Sequence, residues 1–107
     1  MKIVVRTIFI ACALALGAQS AWAEGNAESG RQKAETCLGC HASPNIENVY
    51  PMYRVPKVAG QHAEYLAASL KAYRDGQRPH KTMQANAASL SDQDIEDIAA
   101  YFSNALN

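Results

Sequence analysis

Five consecutive residues, Cys37-Leu38-Gly39-Cys40-His41, constrain this chain more than any other stretch. A C-x-x-C-H run is the pattern by which a haem is attached covalently. The two thiols can add across the two vinyl groups of the porphyrin, giving thioethers that do not dissociate. The imidazole directly after the second cysteine is then held under the iron as a fixed axial ligand. Leu38 and Gly39 are short enough for all three side chains to converge on one macrocycle. Competing readings of the run are weaker. A thioredoxin-type redox motif sits beside a βαβ pattern, which this sequence lacks. A structural zinc site needs four ligands, and there is no second cysteine pair. A disulfide between Cys37 and Cys40 would close a very small loop.

The segment before the motif reads as a leader. Lys2 and Arg6 supply a positive start, residues 8–17 are apolar, and Ala21-Trp22-Ala23 is a small-x-small cleavage site. The expected division is a removed signal peptide over residues 1–23 and one domain over residues 24–107. The apolar stretch is shorter than the roughly 20 residues that span a bilayer core, so no membrane span is expected in the mature form. Cys12 falls inside the apolar stretch and leaves with it. Export with this motif points to a periplasmic location. The whole chain carries 10 basic and 10 acidic residues. Loss of Lys2 and Arg6 leaves eight against ten, a net charge of −2. No basic stripe exists, which argues against a nucleic-acid partner. An 84-residue domain buries a modest share of its surface, so a covalently held apolar plate is a significant staple.

The mature region reads as all-α. Residues 25–35 suit a short helix with Asn26 as N-cap, Glu28 in the first turn, and Gly30 and Ala34 on one small-residue face. Residues 42–57, with Pro44, Pro51 and Pro56, read as a loop. Tyr65, Leu66, Leu70 and Tyr73 give helical spacing within residues 61–75, and Gly76 is a stop signal. Residues 77–90 read as a polar loop that admits one short helical turn. Ser91 and Asp94 form an approximate capping box ahead of Ile95, Ile98, Ala99 and Phe102, an i, i+3, i+4, i+7 stripe.

His41 fills one axial position of the iron. Methionine or histidine commonly fills the other in an electron carrier. Met83 is the favoured candidate, because an isolated methionine among Lys81, Thr82 and Gln84 is poorly explained as a core residue. Met52, between Pro51 and Tyr53, reads as packing beside the haem. His62 and His80 offer bis-histidine ligation, and an open sixth position is the remaining alternative.

Taken together, these residues resemble the class I cytochromes c of the small bacterial single-haem kind, and the chain is similar to one half of the dihaem cytochromes c. The resemblance runs through Gly30, the Cys37–His41 motif, Pro56-Lys57-Val58-Ala59-Gly60-Gln61, Tyr65-Leu66, Tyr73-Arg74-Asp75-Gly76, Met83, and Leu90 to Phe102. It implies a class I fold of short helices around one haem c. It implies that the first and last helices cross with Gly30 approached by Tyr101. It implies that Pro56 offers its carbonyl to the second ring nitrogen of His41, that Val58 packs on the haem, and that Met83 is the distal ligand. Two features depart from the family pattern. The stretch between His41 and Pro56 is long and carries Tyr50, Met52 and Tyr53, and Ala34 stands where an aromatic residue is often found. With a single C-x-x-C-H, the dihaem reading is excluded for this chain.

The function expected on this reading is one-electron transfer between redox proteins such as a dehydrogenase, an oxidase or a respiratory complex, by a monomer that is not an enzyme. The alternatives are a haem subunit held on one dehydrogenase or oxidase through residues 50–54, and a haem enzyme or gas sensor with an open sixth position. Gln61 and Arg78 are weak candidates for holding the haem carboxylates.

Overall fold

The structure is a computed structural model in which residues 24–41 and 55–105 are described. Among the described residues the chain forms five helices and no strand: α1 (Ala27–Lys33), α2 (Glu35–His41), α3 (Ala63–Arg74), α4 (Lys81–Ala87) and α5 (Asp92–Asn104). The all-α expectation holds. Tyr50, Met52, Tyr53 and the leader lie outside the described residues.

The expected first helix is present but ends at Ala34, which adopts φ −84° and ψ 1° and passes the chain into α2. Asn26 caps α1 as its sequence suggests, accepting the Ser29 N–H at 2.9 Å. The second helix, which carries the motif, was not anticipated. Its consequence is simple. Cys37, Cys40 and His41 fall at i, i+3 and i+4, so all three lie on one side of a helix.

The third helix begins at Ala63 rather than Gln61, because Val58 to Gln61 forms a turn, with the Gln61 N–H on the Val58 carbonyl at 3.2 Å. Gly60 takes φ +77° at the third position of that turn, a conformation that favours glycine. Its N–H donates to the Phe102 carbonyl at 2.9 Å, tying this turn to the last helix. At the other end, the Gln77 N–H reaches the Ala72 carbonyl at 2.9 Å and the Gly76 N–H reaches the Tyr73 carbonyl at 3.2 Å. This pair of bonds closes the helix as a Schellman motif around the expected Gly76.

The stretch read as a polar loop with one short helical turn contains a 7-residue helix, α4, longer than the single turn expected. The N-cap is His80, whose Nδ1 accepts the Met83 N–H at 3.3 Å. Histidine is not among the usual cap residues, and the segment has no broad apolar stripe. Met83 and Ala87, four residues apart, are its inward apolar residues: Ala87 is wholly buried and Met83 half-buried.

The last helix matches its reading closely. Ser91 accepts the Asp94 N–H at 3.1 Å, and the Asp94 carboxylate accepts the Ser91 N–H at 2.9 Å. Ile95, Ile98, Ala99 and Phe102 are all buried, and together with Ala34, Leu66 and Ala67 they make one core cluster.

Helix α1 packs across α5 at Gly30. A Cβ there would run into the Asp97 carbonyl and lie 2.9 Å from the Tyr101 Cβ. The expected approach of Tyr101 is present, and the tighter contact is the backbone of Asp97. Asp97 is 3% exposed and is the buried charge at this crossing. Its carboxylate accepts the Asn26 N–H at 2.7 Å, Lys33 Nζ at 2.6 Å and Gln93 Nε2 at 2.8 Å. Lys33 also reaches Asp94 at 2.8 Å. Further along, Lys71 pairs with Glu96 at 2.7 Å and Arg74 with Asp92 at 2.8 Å. The acidic first half of α5 is therefore held by bases from both α1 and α3.

Gly30→Ala should destabilise the protein, read as a lower denaturation midpoint. A gain of about 1 kcal/mol in helix propensity is opposed by overpacking against backbone, of order 1–3 kcal/mol. Asp97→Asn should cost about 2–4 kcal/mol in denaturant unfolding at pH 7, since three donors lose a buried anionic acceptor. Burial pushes the Asp97 carboxyl up, but Lys33, the Asn26 N–H and Gln93 outweigh this and leave it below its ordinary 3.8. A carboxylate with a lowered folded pKa contributes stability above about pH 4 and loses it as the pH falls through the folded value. The gap between wild type and Asp97→Asn should therefore narrow below pH 4.

Candidate haem site

An apolar cleft opens between α2, the Val58 turn, α3, α4 and α5. It is lined by Cys37, His41, Val58, Leu66, Leu70, Met83, Ile98 and Phe102 and is open to solvent on one side. The walls follow from sequence periodicity. Leu66 and Leu70 are one helical turn apart on α3, Ile98 and Phe102 one turn apart on α5, and Cys37 and His41 one turn apart on α2.

Of the site residues expected from sequence, Cys37, His41, Val58 and Met83 meet at this cleft. Cys40 is exposed and lies outside the lining. Pro56 does not line it either, but its carbonyl oxygen is 2.8 Å from Nδ1 of His41. A carbonyl only accepts, so Nδ1 is the donor and carries the ring proton. That leaves Nε2 with its lone pair, the tautomer a metal-binding histidine needs. Burial pushes the Cys37 thiol up, with a smaller opposing pull from a hydrogen bond with Thr36. An environment that disfavours a thiolate is compatible with an uncharged thioether.

The other sulfur and nitrogen candidates sit elsewhere. His62 is the exposed N-cap residue of α3. His80 caps α4 and meets the Tyr73 ring edge-on at 6.4 Å between centroids. Neither lines the cleft, and Met52 lies outside the described residues. Arg78 stacks over Tyr73 with its guanidinium carbon 4.8 Å from the ring centroid.

The donor set suits a haem. Two thiols and an imidazole stand on one helix, a thioether stands on another, and aliphatic and aromatic walls lie between them. The leucines, Ile98 and Phe102 read from sequence as core residues only. Their second role, as walls of a cleft, depends on packing that no single helix displays. No helix among the described residues is long and apolar enough to cross a membrane.

Comparison with known proteins agrees with this chemistry. Residues 27–105 match the family described as Cytochrome c. The chain is 46% identical over 83 residues to cytochrome c-554(548) of Halomonas halodenitrificans, a match covering 75% of this chain and 96% of that protein. It is 39% identical over 84 residues to cytochrome c4 of Pseudomonas aeruginosa, covering 78% of this chain but only 40% of that one. Its structure resembles reduced cytochrome c4 from Pseudomonas stutzeri with a TM-score of 0.59 and 30% identity, covering 78% of this chain and 52% of the other. The chain thus spans nearly all of one relative and about half or less of the two c4 proteins. With the motif, the cleft and these likenesses in agreement, the chain belongs to the cytochrome c family and is a haem electron carrier, with haem c attached through Cys37 and Cys40.

Proposed function

We propose that this protein is an exported, periplasmic single-haem cytochrome c that passes single electrons between redox proteins, with His41 and Met83 as the axial ligands. The observation that carries the reading is that His41 and Met83, 42 positions apart, line the same apolar cleft from two different helices. A haem held by these residues would supply the redox chemistry, a one-electron ferric–ferrous couple.

The chain does the rest. Cys37 and Cys40 hold the group irreversibly. The Pro56 carbonyl fixes the His41 tautomer and makes the imidazole a stronger electron donor. Val58, Leu66, Leu70, Ile98 and Phe102 exclude water from the cleft. A low-dielectric site and a thioether ligand both favour the less charged ferrous state, which raises the reduction potential. The leader over residues 1–23 directs export, and residues 24–107 form the carrier domain. Its partners are redox proteins met in brief contacts over small interfaces.

The oxidised, natively matured protein should show a sulfur-to-iron charge-transfer band that is absent in Met83→Ala. Carbon monoxide should bind the reduced variant promptly and the reduced wild type poorly. Prompt binding to wild type, with no such band, would overturn His41/Met83 ligation and favour a sensing or catalytic haem.

Removal of the group should also remove order. Cys37→Ala/Cys40→Ala should yield a haem-free chain with reduced far-UV helicity and no cooperative thermal transition, since a ligand bound only by the native state stabilises it by mass action. The described core contains few large side chains besides those walling the cleft.

A further inference from the structure

We propose that Arg78 is the side chain that holds a haem carboxylate at the rim of the cleft. The inference rests on haem attachment at Cys37–His41 and not on the identity of the second axial ligand.

A haem brings two carboxylates into a site whose lining is apolar. Those carboxylates must leave the cleft and meet water or a cation. Most described bases are already committed. Lys33 pairs with Asp94 and Asp97, Lys71 with Glu96, Arg74 with Asp75 and Asp92, and Arg31 with Glu28. Among the described residues, Lys57, Arg78 and Lys81 pair with no carboxylate. Of these three, Arg78 is set in place on every side. Its N–H bonds the Ala72 carbonyl at 3.0 Å, and its own carbonyl accepts Gln84 Nε2 at 3.0 Å. Its Nη1 donates to Ser69 Oγ at 3.1 Å, and its guanidinium lies on the Tyr73 face. Arg78 and then Ser69 also draw the Tyr65 phenol below its ordinary value.

The position fits the role. Successive residues of α3 turn by about 100°. Leu66 and Leu70, on the cleft wall, therefore separate two flanks. One carries Ala67, Lys71 and Arg74 and faces α5. The other carries Tyr65 and Ser69, and this is where Arg78 lies. A carboxylate leaving the cleft on that flank meets a planar guanidinium with donors to spare, and guanidinium–carboxylate pairing is the strong, geometrically specific kind. Tyr65, 53% exposed, adds a phenol beside it. An arginine stacked on a tyrosine with no carboxylate beside it is otherwise an ordered cation without an evident counterpart.

The test is resonance Raman spectroscopy of the natively matured protein, read at the haem-carboxylate bending band, with far-UV circular dichroism as a control for folding. Arg78→Gln should move that band to lower wavenumber, and the reduction potential should fall because a positive charge near the iron is lost. Arg78→Lys should give a smaller shift, since an ammonium lacks the planar fork. Lys57→Gln and Lys81→Gln should leave the band in place. An unmoved band in Arg78→Gln, or a band moved by either lysine variant instead, overturns the assignment. If Arg78→Gln does not accumulate with haem, Arg78→Lys decides: a band at the wild-type position overturns the assignment.

Discussion

The crossing of α1 over α5 is the constraint on which the haem site depends. The first helix passes into the second through one residue, Ala34, which is wholly buried. Wherever α1 is fixed, Cys37 and His41 are fixed with it. Two features fix it. Gly30 lets the backbones touch, and Asp97 binds the Asn26 N–H, Lys33 and Gln93 at once. A close glycine contact sets the distance between the helices, and a buried carboxylate with three donors sets their register. Ile98 and Phe102, on the same helix as Asp97, line the cleft together with Cys37 and His41.

The charge pattern separates structural from peripheral roles. Asp92, Asp94, Glu96 and Asp97 give α5 an acidic first half, which suits the positive end of the helix dipole. The same residues recruit Lys33 from α1 and Lys71 and Arg74 from α3. Exposed pairs of this kind are each worth little, but Asp97 is buried, and its loss leaves Lys33 and two other donors short of an acceptor. Holding three helices through one acidic segment uses up much of the positive charge near the core. The bases that remain, Lys57, Arg78 and Lys81, lie in or beside segments that bear on the cleft: the residues leading into the Val58–Gln61 turn and the Met83 helix.

Much of this was legible in the sequence. The C-x-x-C-H run gave the chemistry, Ser91 and Asp94 gave the start of the last helix, and the Ile95-to-Phe102 stripe gave its buried face. Each is a local signal, read within about two helical turns. What escaped is long-range or chemically unusual. Asp97 reads as one more exposed acid on a helix, because two of its three donors come from residues 64 and 71 positions away. The α4 helix escaped because its cap is a histidine and its only inward apolar residues are Met83 and Ala87. The break at Ala34 escaped because alanine is a strong helix former and nothing local marks a helix end there.

That α4 is a helix changes the physical meaning of Met83. A methionine in a flexible loop would need the iron to order it. Here the His80 cap and the bond from Gln84 Nε2 to the Arg78 carbonyl both act on the segment that bears it. On the proposed ligation, the two ligand side chains are thus positioned by separate means. His41 is oriented by the Pro56 carbonyl, and Met83 by the start of its own helix. Ligands held independently of the metal move little when its charge changes by one unit, and small movement is what rapid electron transfer requires. The same segment carries Arg78, so the loop between α3 and α4 links three things: the Schellman end of α3, the proposed sulfur ligand, and the cation proposed for the haem carboxylate. A substitution that loosens this loop should therefore perturb ligation and carboxylate binding together, whereas one at the α1–α5 crossing should perturb global stability first.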